Sequence, residues 1–151
     1  MKRRLLLRTI LPIALVIFLL DQASKIYIVH YLDLITIGRL EVLPPYLVFQ
    51  MAWNTGINFG IPLGGPVMLV GLTLAISAAL VLWVLHRRSW TMALGAGAVV
   101  GGALGNAIDR VLYGAVADFL NNSCCGFVNP YSYNIADVAI FAGAIWIAIK
   151  A

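Results

Sequence analysis

Residues 90–110 read WTMALGAGAVVGGALGNAIDR. From Trp90 to Ile108 no side chain is charged, and the run is close to the roughly 20 residues a helix needs to cross a bilayer. Gly97, Gly101 and Gly105 recur every four residues. Small residues at that interval let a second helix backbone approach closely in lipid, so they predict packing and no chemistry. Polar groups end the run. Gly102, Asn106, Asp109 and Arg110 lie close together on one helical face, where Asp109-Arg110 reads as an ion pair at the membrane end. Asn106 lies a turn deeper, and a buried amide in lipid needs partners.

Three other stretches have the same character. Residues 9–29 are apolar apart from Asp21 and Lys25 near the far end; 66–85 carry no charge; 131–149 contain one charge, Asp137. The expected fold is all-α, with four transmembrane helices at about 9–29, 66–85, 90–110 and 131–149 in one membrane-embedded domain over 1–151. Composition agrees. Hydrophobic residues make up 62% of the chain and charged ones 11%, against about 25% charged in a soluble domain. Basic residues before an apolar run also describe a secretory signal peptide. Three more spans follow, and no small-x-small site precedes Asp21, so an uncleaved first helix is expected.

The net charge of +4 does not indicate a nucleic-acid partner. Lys2, Arg3, Arg4, Arg8, Arg87, Arg88 and Lys150 flank the spans and form no basic stripe with interleaved aromatics. These are seven of the ten Lys and Arg residues, and they fall on one side of the four-span layout. By the positive-inside rule the N- and C-termini are cytoplasmic. All six carboxylates, Asp21, Asp33, Glu41, Asp109, Asp118 and Asp137, then fall in the extracytoplasmic half. Asp33 and Glu41 read as solvated residues of the 30–65 connection, which is too long for a simple turn. Its mixture of Val, Leu, Tyr and Phe around Pro44-Pro45 predicts short strands or an interfacial platform, with Tyr46, Phe49 and Trp53 at headgroup level. Adjacent Cys124 and Cys125 read as loop residues that cannot bridge two elements.

The other four acids mark a functional site, because carboxylates in or beside a span are costly. Asp21 and Lys25, four apart, share a helical face; they are either a neutralised structural pair or a pair positioning other groups. Asp118, just past the third span, and Asp137, at the mouth of the fourth, reach about the same depth. Two carboxylates in one low-dielectric cleft share a proton, which suits activation of water and protonation of a leaving amine. A metal site is the weaker reading: a hard cation wants six or more oxygens, and His30 and His86 fall on opposite sides. A cation vestibule of a small transporter is a further alternative. It requires polar groups through the full membrane depth, which the second span and the inner halves of the third and fourth lack.

Five motifs now occur in order: Asp21-Gln-Ala-Ser24-Lys25, Asn54-Thr-Gly56-Ile-Asn-Phe59, Gly101-Gly102-Ala-Leu-Gly105-Asn106-Ala-Ile-Asp109-Arg110, Val116-Ala-Asp118-Phe119 and Asn134-Ile-Ala136-Asp137. Together they resemble the motifs of lipoprotein signal peptidase, the bacterial type II signal peptidase, over essentially the whole chain. The resemblance implies a multi-pass aspartic endopeptidase of the bacterial cytoplasmic (inner) membrane. It would remove signal peptides from diacylglyceryl-modified prolipoproteins, cutting before the lipidated cysteine at the extracytoplasmic face. Asp118 and Asp137 would be catalytic. Asn54, Gly56, Asn106, Arg110 and Asn134 would hold substrate or brace the pair, and Asp21, Lys25 and Asp109 would give structural support. No metal or organic cofactor is implied; the partners are the prolipoprotein and membrane lipid. A non-catalytic lipoprotein-binding paralogue is a second alternative, after the transporter. Departures from the family pattern are Ile57-Asn58 before Phe59, Tyr133 in place of a common Phe, and the Cys124-Cys125 pair.

Overall fold

The computed structural model describes residues 3–56 and 65–151, so Asn58 and Phe59 lie outside the described residues. Among the described residues four long helices dominate: α1 (Arg3–Lys25), α3 (Gly65–Arg87), α4 (Trp90–Tyr113) and α5 (Ile135–Lys150), with a single-turn α2 (Leu34–Ile37). α1 runs on as a wider π-helical segment over Ile26–Tyr31. A three-stranded antiparallel sheet, ordered β1 (Arg39–Leu43), β2 (Leu47–Asn54), β3 (Val116–Asn121), stands at the end of the bundle where α1 and α4 finish.

α4 is the central helix, and α1, α3 and α5 each pack against it. Its glycines explain how. A Cβ at Gly101 would lie 2.5 Å from the Ala14 carbonyl oxygen of α1, and one at Gly97 would lie 2.7 Å from Ile13 Cβ. On the opposite side, a Cβ at Gly102 would lie 2.5 Å from the Ala136 oxygen of α5, and one at Gly95 would lie 2.7 Å from that of Gly143. The small residues therefore serve two helix contacts, one on each face.

Three helical stretches, Arg3–Tyr31, Gly65–Arg87 and Trp90–Tyr113, are long and apolar enough to cross a membrane. The first begins six residues before the expected 9–29 span, taking in Arg3, Arg4 and Arg8. α5 differs from expectation in the other direction. It starts at Ile135, not 131, and its 16 residues make about 24 Å at 1.5 Å each. The cause is a capping box: the Asn134 side chain accepts from Asp137 N, and the Asp137 carboxylate accepts from Asn134 N. That reciprocal pair starts the helix whatever the hydropathy of Tyr131 to Tyr133.

The platform expected in the 30–65 connection is present as β1 and β2, joined by β3, a strand the hydropathy pattern does not mark. β2 meets β3 with Asn54 opposite Val116 and Ala52 opposite Asp118; the register then slips between Ala52 and Phe49. Phe49, expected at headgroup level, is turned inward, edge-on to the fully buried Phe119 at 5.8 Å. Tyr46 and Trp53 remain exposed. Cys124 and Cys125 are bonded to each other in the loop after β3.

Candidate functional site

Asp118 sits mid-strand on β3, fixed by its pairing with β2. Asp137 sits in the first turn of α5, fixed by the capping box. The chain between them returns to β3 at Tyr133, whose backbone exchanges hydrogen bonds with Leu120 at 2.8 and 2.9 Å. Asn134 is thereby delivered to both acids. Its Nδ2 donates to Asp118 Oδ1 at 2.7 Å, and its backbone N–H donates to Asp137 Oδ2 at 3.2 Å. Asn106 completes the hold from α4, donating through Nδ2 to Asp137 Oδ1 at 2.9 Å and accepting from Asn134 Nδ2 at 3.0 Å.

A second layer lies behind the first. Lys25, only 4% exposed, donates to Asp21 at 2.8 Å, to Asn106 Oδ1 at 3.2 Å and lies 2.7 Å from Asp109 Oδ2. One cation thus joins two buried carboxylates and the amide that holds Asp137. The Asp109-Arg110 ion pair expected from sequence is not formed: Asp109 pairs with Lys25 instead. Adjacent helix positions point about 100° apart, so Asp109 turns to α1 while Arg110 turns to the groove between α3 and α5. Asp21 and Lys25 are paired as expected, with Asp109 as the third member.

Asp118 is 3% exposed. Burial first, and the neighbouring Asp137 second, push its carboxyl from an ordinary 3.8 up to about 7, while Asn54, Lys25 and Asn134 pull the other way. Asp137 is less enclosed. It lines an apolar groove of about 590 Å³ along α5 with Tyr133, Val138, Ile140 and Phe141. Asn106 and Arg110 line a second groove of about 290 Å³, walled by Thr73, Ser77 and Ile140. Arg110 Nε is buried without a hydrogen-bond partner among the described residues.

Asn54 ends β2 and accepts from Gly56 N at 2.9 Å. Gly56 adopts φ +76°, where a side chain is strained, and a Cβ there would lie 2.5 Å from Leu69 Cδ1 and 3.8 Å from an Arg110 Nη. Every site residue named from sequence therefore falls in one region at the sheet end of the bundle. Among the described residues no group of three or more His, Cys, Asp or Glu side chains converges as a metal site would require. Sequence reasoning missed Gln22, whose Nε2 reaches Asp21, Asp109 and the Gly105 oxygen. It also missed Asn121, fully buried and holding the 129 and 131 carbonyls. A polar amide inside an apolar run was the available signal for Gln22; Asn121 offered none.

Paired carboxylates in a shared polar cluster, at the end of a bundle in which three described helices suit a bilayer, define a membrane-embedded protein with hydrolytic chemistry in reach. The chain belongs to the signal peptidase II family, whose model, described as Signal peptidase (SPase) II, matches residues 13–151. It is 40% identical over 137 residues to a lipoprotein signal peptidase of Rhodopseudomonas palustris, covering 85% of this chain and 82% of that protein. With the Caulobacter vibrioides lipoprotein signal peptidase it shares 37% identity over 135 residues, covering 87% and 79%. A solved bacterial membrane enzyme superposes with a TM-score of 0.77 at 32% identity, over 91% of this chain and 88% of that one.

Proposed function

We propose that this peptidase removes signal peptides from diacylglyceryl-modified prolipoproteins, cutting before the lipidated cysteine, with Asp118 and Asp137 as the catalytic pair. The observation that carries the assignment is the bridging of both carboxylates by one residue, Asn134. It makes the two acids a single unit and holds them in unlike surroundings.

Those surroundings separate the roles. Asp137 accepts N–H bonds on both oxygens at the N-terminus of α5, a setting for a charged carboxylate. Asp118, enclosed and pushed up to about 7, is still partly protonated near neutral pH, where an ordinary carboxyl has lost its proton. Asp137 takes a proton from water as the water oxygen bonds to the scissile carbonyl carbon, and Asp118 gives its proton to the carbonyl oxygen. As the C–N bond breaks, Asp137 passes its proton to the leaving amine and Asp118 recovers one from the tetrahedral hydroxyl. The products are the signal peptide with a free carboxyl end and the lipid-modified cysteine with a free amine. The apolar groove beside Asp137 gives alkyl chains or an apolar peptide a sideways approach from the bilayer. Asn54, Gly56 and Arg110 border the cleft and hold the peptide backbone.

The same function needs four spans in the bacterial inner membrane, cytoplasmic termini and the acids at the extracytoplasmic face. Support comes from the basic residues gathered at one end of the bundle, where Arg87 donates to the Ala151 oxygen at 2.8 Å. Single cysteines at Ser89 and Asn122, labelled from outside with a membrane-impermeant maleimide, test this topology; labelling at Ser89 alone would invert it.

The activity is tested with a synthetic diacylglyceryl-modified prolipoprotein and the purified protein in lipid. Cleavage before the modified cysteine, abolished by either Asp118→Asn or Asp137→Asn, is the expected result. Robust cleavage by both variants would end the two-aspartate assignment.

A further inference from the structure

The buried cation Lys25 does not by itself explain how two acids on different elements keep their spacing. Each of its carboxylate partners has another bond. Asp21 Oδ1 accepts from Ala136 N at 2.9 Å, and Asp109 Oδ2 accepts from Ala117 N at 3.2 Å. Ala136 immediately precedes Asp137 and Ala117 immediately precedes Asp118. Two supporting carboxylates thus grip the backbone one residue before each acid.

An ammonium group is a point charge that holds a carboxylate without fixing its rotation. Carboxylate torsions are broad, so a directional second contact is needed. Gln22 supplies it. Its Nε2 lies 3.1 Å from Asp21 Oδ2, 3.1 Å from Asp109 Oδ1 and 3.3 Å from the Gly105 oxygen. Asp109 is then held at both oxygens, by Gln22 on Oδ1 and by Lys25 and Ala117 on Oδ2. The contact with Gly105 ties the clasp to one of the close approaches of α1 and α4: a Cβ there would lie 2.5 Å from Asp21 Oδ2.

We propose that Gln22 is a positioning residue that, acting through Asp21 and Asp109, sets the separation of the segments carrying Asp118 and Asp137. The role rests on the catalytic assignment made above for those two acids. Gln22 touches neither acid, so its effect reaches the reaction only through spacing.

The test is Gln22→Met, which keeps side-chain length and removes the donor, with the whole protein in lipid and the diacylglyceryl-modified prolipoprotein as substrate. The expected result is a fall in kcat of about 10- to 100-fold, the range for small misplacements, with KM within about twofold. The pH profile must move as well. Asp118 is faced by Asp137 from α5, Lys25 from α1 and Arg110 from α4, and by uncharged Asn54 from β2. When the clasp loosens, the Asp137 charge acts on Asp118 from farther away, and the alkaline limb shifts to lower pH. Gln22→Asn, an amide one methylene short, must shift the limb in the same direction and serves if the Met variant fails to fold. A folded Gln22→Met with wild-type kcat and pH profile overturns the proposal. So does a kcat loss with the limb unmoved, which marks a merely structural residue. Infrared titration of the Asp118 carboxyl, assigned by its loss in Asp118→Asn, needs no substrate. If the wild type does not cleave, the catalytic assignment fails, and this titration still decides whether Gln22 governs the spacing: an unshifted Asp118 in Gln22→Met overturns it.

Discussion

The two ends of the helix bundle are held together by different means. At the end where α3 and α4 are joined, Leu6, Ile10, Val84, Met92, Ala93, Ala96 and Ile147 make an apolar cluster. At the sheet end, Asp21, Lys25, Asn106, Asp109, Asp118 and Asn134 are equally buried and are joined by hydrogen bonds and ion pairs. Apolar packing fails by degrees, since each lost methylene removes its own contacts. A satisfied polar network does not, because removing one member leaves its partners buried and unpaired. The proposed chemistry occupies the end where geometry is specified bond by bond, and the other end needs only to fit.

The largest effects are therefore expected at the sheet end. Asp137→Asn and Asp118→Asn should each lower kcat by about 10²–10⁴-fold while leaving the fold intact, measured by cleavage beside circular dichroism. Lys25→Met leaves Asp21 and Asp109 facing each other without their cation. Breaking a buried pair in this way costs about 3–5 kcal/mol, read as loss of thermal stability in detergent. A Lys25→Met protein as stable as wild type would remove the contrast between the two ends. The pH dependence is a milder probe of the same network. Asp118 binds its proton more tightly folded than unfolded, so its contribution to stability is complete below about 3.8 and lost as pH rises through about 7. Cleavage should fall through the same upper limit, since the proton Asp118 donates is then gone; activity still rising above pH 8 would exclude Asp118 as the donor.

Glycine substitutions sharpen the comparison within the bundle. Gly101→Ala drives a Cβ to 2.5 Å from the Ala14 oxygen and should cost about 1–3 kcal/mol. Gly71→Ala on α3 meets nothing within 4 Å among the described residues and should be neutral or stabilising by up to about 1 kcal/mol through helix propensity. Differential scanning fluorimetry of the pair separates the close helix contact from glycine as such.

Much of the sheet end was legible because charged residues in apolar runs are rare and costly. Asp21, Lys25, Asp109, Asp118 and Asp137 stand out for that reason, and the structure brings all five together. What was not legible depended on how elements rotate and pair. That Asp109 meets Lys25 and not Arg110 depends on the roll of α4 against α1, which the glycine spacing permits and does not set. β3 was hidden because Val116 to Phe119 is buried on both faces, so no alternation marks a strand, and its partner β2 lies more than sixty residues earlier. The start of α5 was misplaced because hydropathy continues through Tyr131 and Tyr133, while the capping box decides the boundary.

The smallest expected loss is also the cleanest test of the contrast. Ile10, 1% exposed, packs in the apolar cluster far from the acids, and the Ile10 oxygen lies against Gly97. Ile10→Val removes one methylene. In lipid the transfer part of its cost is small, because tails and neighbouring side chains are equally apolar, and only lost packing remains. The loss should fall at the low end of about 0.5–1.5 kcal/mol, with kcat and the pH profile unchanged. If Ile10→Val lowered kcat as Gln22→Met is expected to, spacing at the acids would depend on packing along the whole of α1, and the sheet end would not be the self-contained unit its hydrogen bonds describe.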